Sequence, residues 1–280
     1  MNIKNLLCES NDILKNNLIP SHVLDSELLL CKVLKKDRKY LILNDELNLQ
    51  NNKITEFKNL INRRLKKEPI AYILGEKSFW KDDFLVKKGS LIPRPETELI
   101  VEEVINITKN SHNLKILEIG TGTGCLILSI LRERPNLRAT AIDISKICIE
   151  LARANAKKLG LTKNIKFYKS DVDNLRNDKY DIIVSNPPYI NKFDLNNLED
   201  GIVKFEPKLA LYGGVDGSDC VKKIIYKSSK ILKRKGKLIL EIAHDQKNCV
   251  LKILKKENFY VNKIVKDFSN ISRSIVSTKI

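Results

Sequence analysis

Four segments of this chain combine residue types with a spacing that could do chemistry. The most informative is Asn186-Pro187-Pro188-Tyr189. Neither proline carries an N–H, and each pushes the residue before it into extended geometry. The segment is therefore held rigid, with carbonyl oxygens free to face a ligand. The Asn186 side-chain oxygen and the Pro187 carbonyl are then two acceptors for the two N–H bonds of one planar –NH2 group. Each such bond to a group gaining charge is worth roughly 1.5–3 kcal/mol. Tyr189 offers a flat face against which a planar amide or base stacks. The plainer reading of the same residues is a rigid turn after a strand. Upstream, Glu118-Ile119-Gly120-Thr121-Gly122-Thr123-Gly124 is a glycine-rich turn of the kind that lets a backbone approach a ligand closely. A dinucleotide fingerprint G-x-G-x-x-G would need glycine at position 125, which is Cys125. Asp143 follows, where an acid accepts the ribose hydroxyls in nucleotide folds. Helix capping is the rival duty, and Ser145 could take it. The fourth segment is Ser170-Asp171-Val172, where Asp171 is a binding residue or a turn residue.

Elements at regular intervals position these segments. Short apolar runs at residues 115–119, 138–142, 165–169, 180–185 and 236–242 read as strands. Helical patterns separate most of them, such as those over 146–159 and 217–232, which predicts an α/β domain with a parallel sheet. Two late strands, near 260–266 and 274–278, have no helix between them and should form an antiparallel pair at one edge. Residues 1–75 read as helices instead. Ile54, Phe57, Leu60, Ile61 and Leu65 fall at helical spacing, and Ser21 after Pro20 is a candidate N-cap. Residues 76–98 read as a hairpin or linker, and residues 99–280 as the α/β domain.

The chain has 280 residues and a formal net charge of +17, from 51 Lys and Arg against 34 Asp and Glu. The surplus runs through both regions as scattered lysines, so a composition bias and an acidic or RNA-rich partner both remain open. The densest runs, Arg63–Lys67 and Lys233–Lys237, are expected at element ends. Six dispersed cysteines and the separated His22, His112 and His244 predict no metal site and no disulfide framework, with reduced, mostly buried thiols. No stretch approaches the ~20 apolar residues of a membrane span, and the start lacks a signal-peptide pattern. A cytoplasmic location with no membrane partner is expected.

The G-x-G-x-G turn, with an acid two residues before it, resembles motif I of class I methyltransferases, which have a Rossmann-like fold and use S-adenosylmethionine. The resemblance implies that Gly120 to Gly124 pass under the methionine part of the cofactor, that Asp143 holds the ribose, and that Asp171 and Val172 lie along the adenine. It also sets the strand after residue 180 beside the strand after residue 115, so the Asn186 and glycine loops should face each other. An amide nitrogen is a poor nucleophile because its lone pair is delocalised. Two acceptors on its N–H bonds would aim that lone pair at the sulfonium methyl, and in-line positioning needs no His or Cys base.

Asn-Pro-Pro-Tyr is shared with adenine-N6 DNA methylases, so it names a nitrogen and not a substrate. Other segments narrow the choice: Pro69 to Gly75 with Phe79-Trp80, Ile92-Pro93-Arg94-Pro95-Glu96-Thr97-Glu98, Glu206-Pro207, Gly213-Gly214-Val215-Asp216-Gly217, and Leu240-Glu241-Ile242 with Gln246. These are similar to the PrmC (HemK) family over nearly the whole chain. The resemblance implies methylation of the glutamine side-chain amide in the Gly-Gly-Gln loop of peptide chain release factors. Residues 1–75 would help grip that protein, Glu118, Gly120 to Gly124, Asp143 and Asn186 would hold the cofactor, and Asn186, Pro187, Pro188 and Tyr189 the glutamine. Two departures stand out: Glu118 where Asp is more usual, and Val172 where an aromatic often lies. Pro95-Glu96-Thr97-Glu98 favours the release-factor branch over a sister group acting on a ribosomal protein, although Arg94 and Glu96 could equally form a linker salt bridge. A monomer needing no nucleic acid is expected. The rivals are a DNA or RNA amine methylase, which usually carries an added target-recognition region, and a cofactor-binding protein without turnover.

Overall fold

The structure, a computed structural model, describes residues 1–111, 113–175 and 178–280. His112 lies outside them. The chain divides into two compact units, residues 1–76 with 199–205, and residues 77–198 with 206–280.

The first unit is helical, with α1 (Ile3–Asn16), α2 (His22–Leu34), α3 (Arg38–Leu43), α4 (Asn51–Leu65) and α5 (Ile70–Leu74). Leu6, Leu29, Leu30, Val33, Phe57 and Ile61 meet in its core. Helical spacing thus turns one face of each long helix inward. Ser21 precedes α2 without capping it. Its hydroxyl donates instead to the buried Asp25 carboxylate at 2.8 Å, which also holds Arg64 at 2.6 Å. The buried Asp25 charge claims the Ser21 hydroxyl as a donor, and no N–H of the first turn donates to its oxygen. The basic run from Arg63 straddles the end of α4 as expected.

A hairpin of β1 (Glu76–Phe79) and β2 (Asp82–Leu85) starts on the last residue of the first segment and belongs, from Lys77 on, to the second unit. Phe79 and Phe84 meet edge-to-face at 6.1 Å and enter this unit's core. Then follow α6 (Glu98–Ile107), β3 (Lys115–Ile119), α7 (Cys125–Glu133), β4 (Arg138–Asp143), α8 (Lys146–Lys158), β5 (Ile165–Lys169) and β6 (Tyr180–Ser185). Three short helices come next: α9 (Lys192–Leu195), α10 (Asp200–Phe205), which belongs to the helical unit, and α11 (Lys208–Leu211). The chain ends with α12 (Asp219–Ile231), β7 (Leu232–Glu241), α13 (Lys247–Lys256), β8 (Phe259–Lys266) and β9 (Ser272–Lys279).

The seven strands form one sheet in the order β5-β4-β3-β6-β7-β9-β8, parallel except for β9, which runs antiparallel to both neighbours. Alternation along β3 sends Ile116 to the face covered by α6, α7 and α8, and Leu117 and Ile119 to the face covered by α12 and α13. Such two-sided burial explains the continuous apolar runs. The sequence misplaces the start of β7: the basic run from Lys233 lies inside the strand, where pairing with β6 is irregular between Tyr180 and Ile182. The cysteines also differ from expectation. Cys148 is buried, but Cys8 and Cys249 fall on the solvent sides of α1 and α13 and are exposed, and the other three are intermediate.

No helix among the described residues is long and apolar enough to cross a membrane. Among them, no three His, Cys, Asp or Glu side chains gather as a metal site.

Candidate active site

The site grows from the carboxyl ends of β3, β4 and β6. The sheet order reverses at β3, and open α/β sheets bind ligands at that switch point. Ile119 and Ser185 are register partners, so the loops after β3 and β6 leave the sheet side by side. The Ser185 hydroxyl pins them by donating to the Ile119 carbonyl at 2.7 Å.

The glycine loop is tied to β4. The N–H groups of Gly120 and Thr121 both donate to the Ile142 carbonyl at 2.9 Å. Gly120 and Gly122 have φ of 78° and 55°, the left-handed region that glycine enters freely. Asp143 anchors the turn: its Oδ2 accepts the Gly122 N–H at 2.9 Å and its Oδ1 the Ser145 N–H at 2.8 Å. The cap of α8 comes from the Ser145 hydroxyl. Burial raises the Asp143 pKa, against the backbone N–H groups that lower it. Glu118 is buried beneath the loop and accepts the Thr121 hydroxyl proton. Burial holds its carboxyl well above the usual range.

These loops enclose a cavity of about 310 Å³. Its lining includes Glu118, Gly120, Thr121, Gly122, Thr123, Asp143, Asp171, Val172, Asn186, Pro187 and Pro188. Two candidates from the sequence are not in the lining. Gly124 opens α7 at φ 81°, and a Cβ there would lie 3.1 Å from Ala152 Cβ, so its absent side chain serves helix packing. Tyr189 directs its hydroxyl to Glu241 Oε1 at 3.3 Å. Asp171 accepts the Asp173 N–H at 2.9 Å while also lining the cavity, so it occupies a turn and the pocket wall at once.

Several supporting residues gave no individual role in the sequence. Thr97 lines the cavity, accepts from Asn186 Nδ2 at 2.9 Å and donates to Glu241 Oε2 at 2.6 Å. Gln246 donates to the carbonyls of Tyr189 and Gly217, at 3.0 and 2.9 Å, bracing the loop after Pro188. A Cβ at Gly213 would lie 2.6 Å from the Pro188 carbonyl, so only glycine lets the two segments approach. Arg94 pairs with the buried Glu206 at 2.6 Å, and Glu206 also accepts the Ile92 N–H at 3.1 Å. The available signal was an acid closing an apolar strand at Glu241 and a threonine among charges at Thr97, both too common to assign without the fold.

A sheet of this order, an acid closing β4 and an Asn-Pro-Pro turn closing β6 beside a glycine loop define a class I methyltransferase. The comparisons agree: residues 110–277 match the family described as methyltransferase domain, and residues 5–75 the PrmC N-terminal domain. The chain is 36% identical to release factor glutamine methyltransferase of Clostridium acetobutylicum, covering 100% of this chain and 99% of that protein. It is 37% identical to release factor glutamine methyltransferase of Buchnera aphidicola, with 100% of each chain covered. It belongs to the release factor glutamine methyltransferase family. Its fold is similar to that of a methyltransferase from Pyrococcus furiosus, with a TM-score of 0.55 at 20% identity, covering 79% of this chain and 98% of that one.

Proposed function

We propose that this enzyme transfers a methyl group from S-adenosylmethionine to the side-chain amide nitrogen of a glutamine in peptide chain release factors, the glutamine of a Gly-Gly-Gln loop. The observation that carries the reading is the placement of the Asn186–Pro188 turn against the glycine loop in one cavity. The donor set suits the cofactor. Asp143 has four acceptor sites on its two oxygens and spends two on backbone N–H groups, leaving one per oxygen for two ribose hydroxyls. Gly120 and Gly122 present backbone without side chains to the methionine part, and Asp171 and Val172 flank the adenine end. When bound, the cofactor supplies an activated methyl group on a sulfonium.

The remaining work is positioning. Asn186 Oδ1 and the Pro187 carbonyl accept the two amide N–H bonds, aim the nitrogen lone pair and stabilise the positive charge that grows on it. Tyr189 braces the turn through Glu241. Cys125 and Cys148 also line the cavity, where burial pushes their thiols up to about 12 and about 11. Both stay protonated at neutral pH, so neither is a thiolate competing for the methyl group. The helical unit would grip the protein substrate. Incubating labelled S-adenosylmethionine with purified release factor, DNA and rRNA in parallel tests the reading. Label on the release factor glutamine alone supports it, and label on nucleic acid alone overturns it.

A further inference from the structure

An asparagine amide is nearly symmetric in shape, yet a half-turn about its last bond exchanges an acceptor for a donor. For Asn186 that half-turn decides whether an incoming –NH2 group meets an oxygen or another –NH2. The polarity of its surroundings makes the choice. Asn186 Nδ2 lies 2.9 Å from Thr97 Oγ1, and Thr97 Oγ1 lies 2.6 Å from Glu241 Oε2. A threonine hydroxyl has one proton. Once that proton is given to a carboxylate, Thr97 has lone pairs alone to show Asn186, and these are met by an N–H. Thr97 is 4% exposed and Glu241 2%, so the exchange lies largely out of bulk water at the cavity wall. The other Glu241 oxygen accepts from Tyr189 at 3.3 Å. One carboxylate at the end of β7 thus holds both Thr97, just before α6, and the loop after β6.

We propose that Thr97 and Glu241 are positioning residues: Glu241, acting through the Thr97 hydroxyl, fixes the Asn186 amide with Oδ1 toward the cavity as the acceptor that selects a donor-bearing –NH2 substrate. The inference rests on the glutamine reading above. It has a corollary in pH. Burial pushes the Glu241 carboxyl up to about 7, the charge of Glu96 pushes the same way, and the Thr97 and Tyr189 hydroxyls and Arg273 oppose them. Arg94 acts on the neighbouring Tyr189, and Ser274 is the β9 register partner of Glu241. A proton on Oε2 would be donated to Thr97. The Thr97 proton would then face Asn186, and the amide would turn its –NH2 to the cavity. Ionised Glu241 is the competent form, so kcat rises with pH through about 7.

The test measures kcat, KM for release factor and cofactor affinity on full-length Thr97→Val, Thr97→Ser and Glu241→Gln, with thermal unfolding alongside. Thr97→Val keeps the shape and deletes the relay, so kcat should fall roughly 10–100-fold while S-adenosylmethionine affinity stays within about twofold. Thr97→Ser restores the hydroxyl and should come within about threefold of the parent. Glu241→Gln cannot ionise, so its kcat should lose the rise near pH 7 even if its magnitude also drops. A folded Thr97→Val with parental kcat, or an unchanged pH limb in Glu241→Gln, overturns the proposal. A parent enzyme that does not label release factor at all overturns the substrate reading instead, and the two failures are distinct.

Discussion

Replacing Asp143 by alanine probes the loop contacts of one carboxylate together with the cofactor contacts proposed for it. Each of its oxygens accepts one backbone N–H, from Gly122 or from Ser145. In the proposed function each oxygen also keeps one acceptor site, which a ribose hydroxyl would take. Two hydrogen bonds to a charged acceptor are worth at most roughly 3–6 kcal/mol. Water entering the vacated space recovers part of this, so a net loss of about 1.5–3 kcal/mol in cofactor binding is expected. That corresponds to roughly 10- to 150-fold in Kd. The ligand-free protein should lose less, because the variant also removes a carboxylate that burial disfavours. Asp143→Asn should fare little better than alanine, since its –NH2 must face one of the two backbone N–H groups. The assay is calorimetric titration with S-adenosylmethionine and, separately, with S-adenosylhomocysteine, which has the same ribose and no sulfonium charge. Equal losses for both ligands identify the ribose as the partner. An unchanged affinity, or a loss confined to the charged ligand, would refute the reasoning.

Asn186→Ala should lower kcat roughly 10²–10³-fold with little change in thermal stability. Asn186→Asp should be about as poor, because a carboxylate has no N–H to give Thr97, and steady-state kinetics would check both. Gly124→Ala should destabilise the protein by roughly 1–3 kcal/mol in urea unfolding, since the new Cβ meets Ala152 at 3.1 Å with φ at 81°. Gly122→Ala meets nothing within 4 Å and should cost about 1 kcal/mol, its backbone strain alone. Glu241 is held above its unfolded value near 4.5, so its stabilising contribution is full below that pH and is lost as pH rises through about 7. Relative to Glu241→Gln, parental unfolding free energy should therefore fall by up to about 3 kcal/mol between pH 4.5 and 8; parallel pH curves would contradict it.

Continuous apolar runs made the strands from Lys115 and Tyr180 legible, because two-sided burial demands them; their adjacency followed only from the methyltransferase resemblance, and the two strands do pair. The irregular start of β7 was not legible, since charged residues there hide a strand whose pairing is interrupted. Asp143 and Asn186, which line the cavity, could be read from their places after strands. Thr97 and Glu241 could not, because their meaning lies in contact between positions 144 residues apart in the chain. The resemblance carries Gly124 into the binding loop with its neighbours, and a glycine motif does not separate a glycine facing the cavity from one facing a helix.

The return of residues 199–205 to the helical unit has a consequence for synthesis. Gly201 lies against the Lys67 carbonyl, where an added Cβ would come within 2.8 Å. A ribosome adding about 5–20 residues per second needs roughly 6–26 s to pass from residue 76 to residue 205. Through that interval the first five helices exist without the segment that completes their unit, while β3 to β6 emerge behind them. The division of the chain into two units therefore does not follow its order of synthesis. The last contacts of the helical unit can form only after the Asn186 turn has been made, and bringing such distant segments together carries the entropy cost of closing the loop between them.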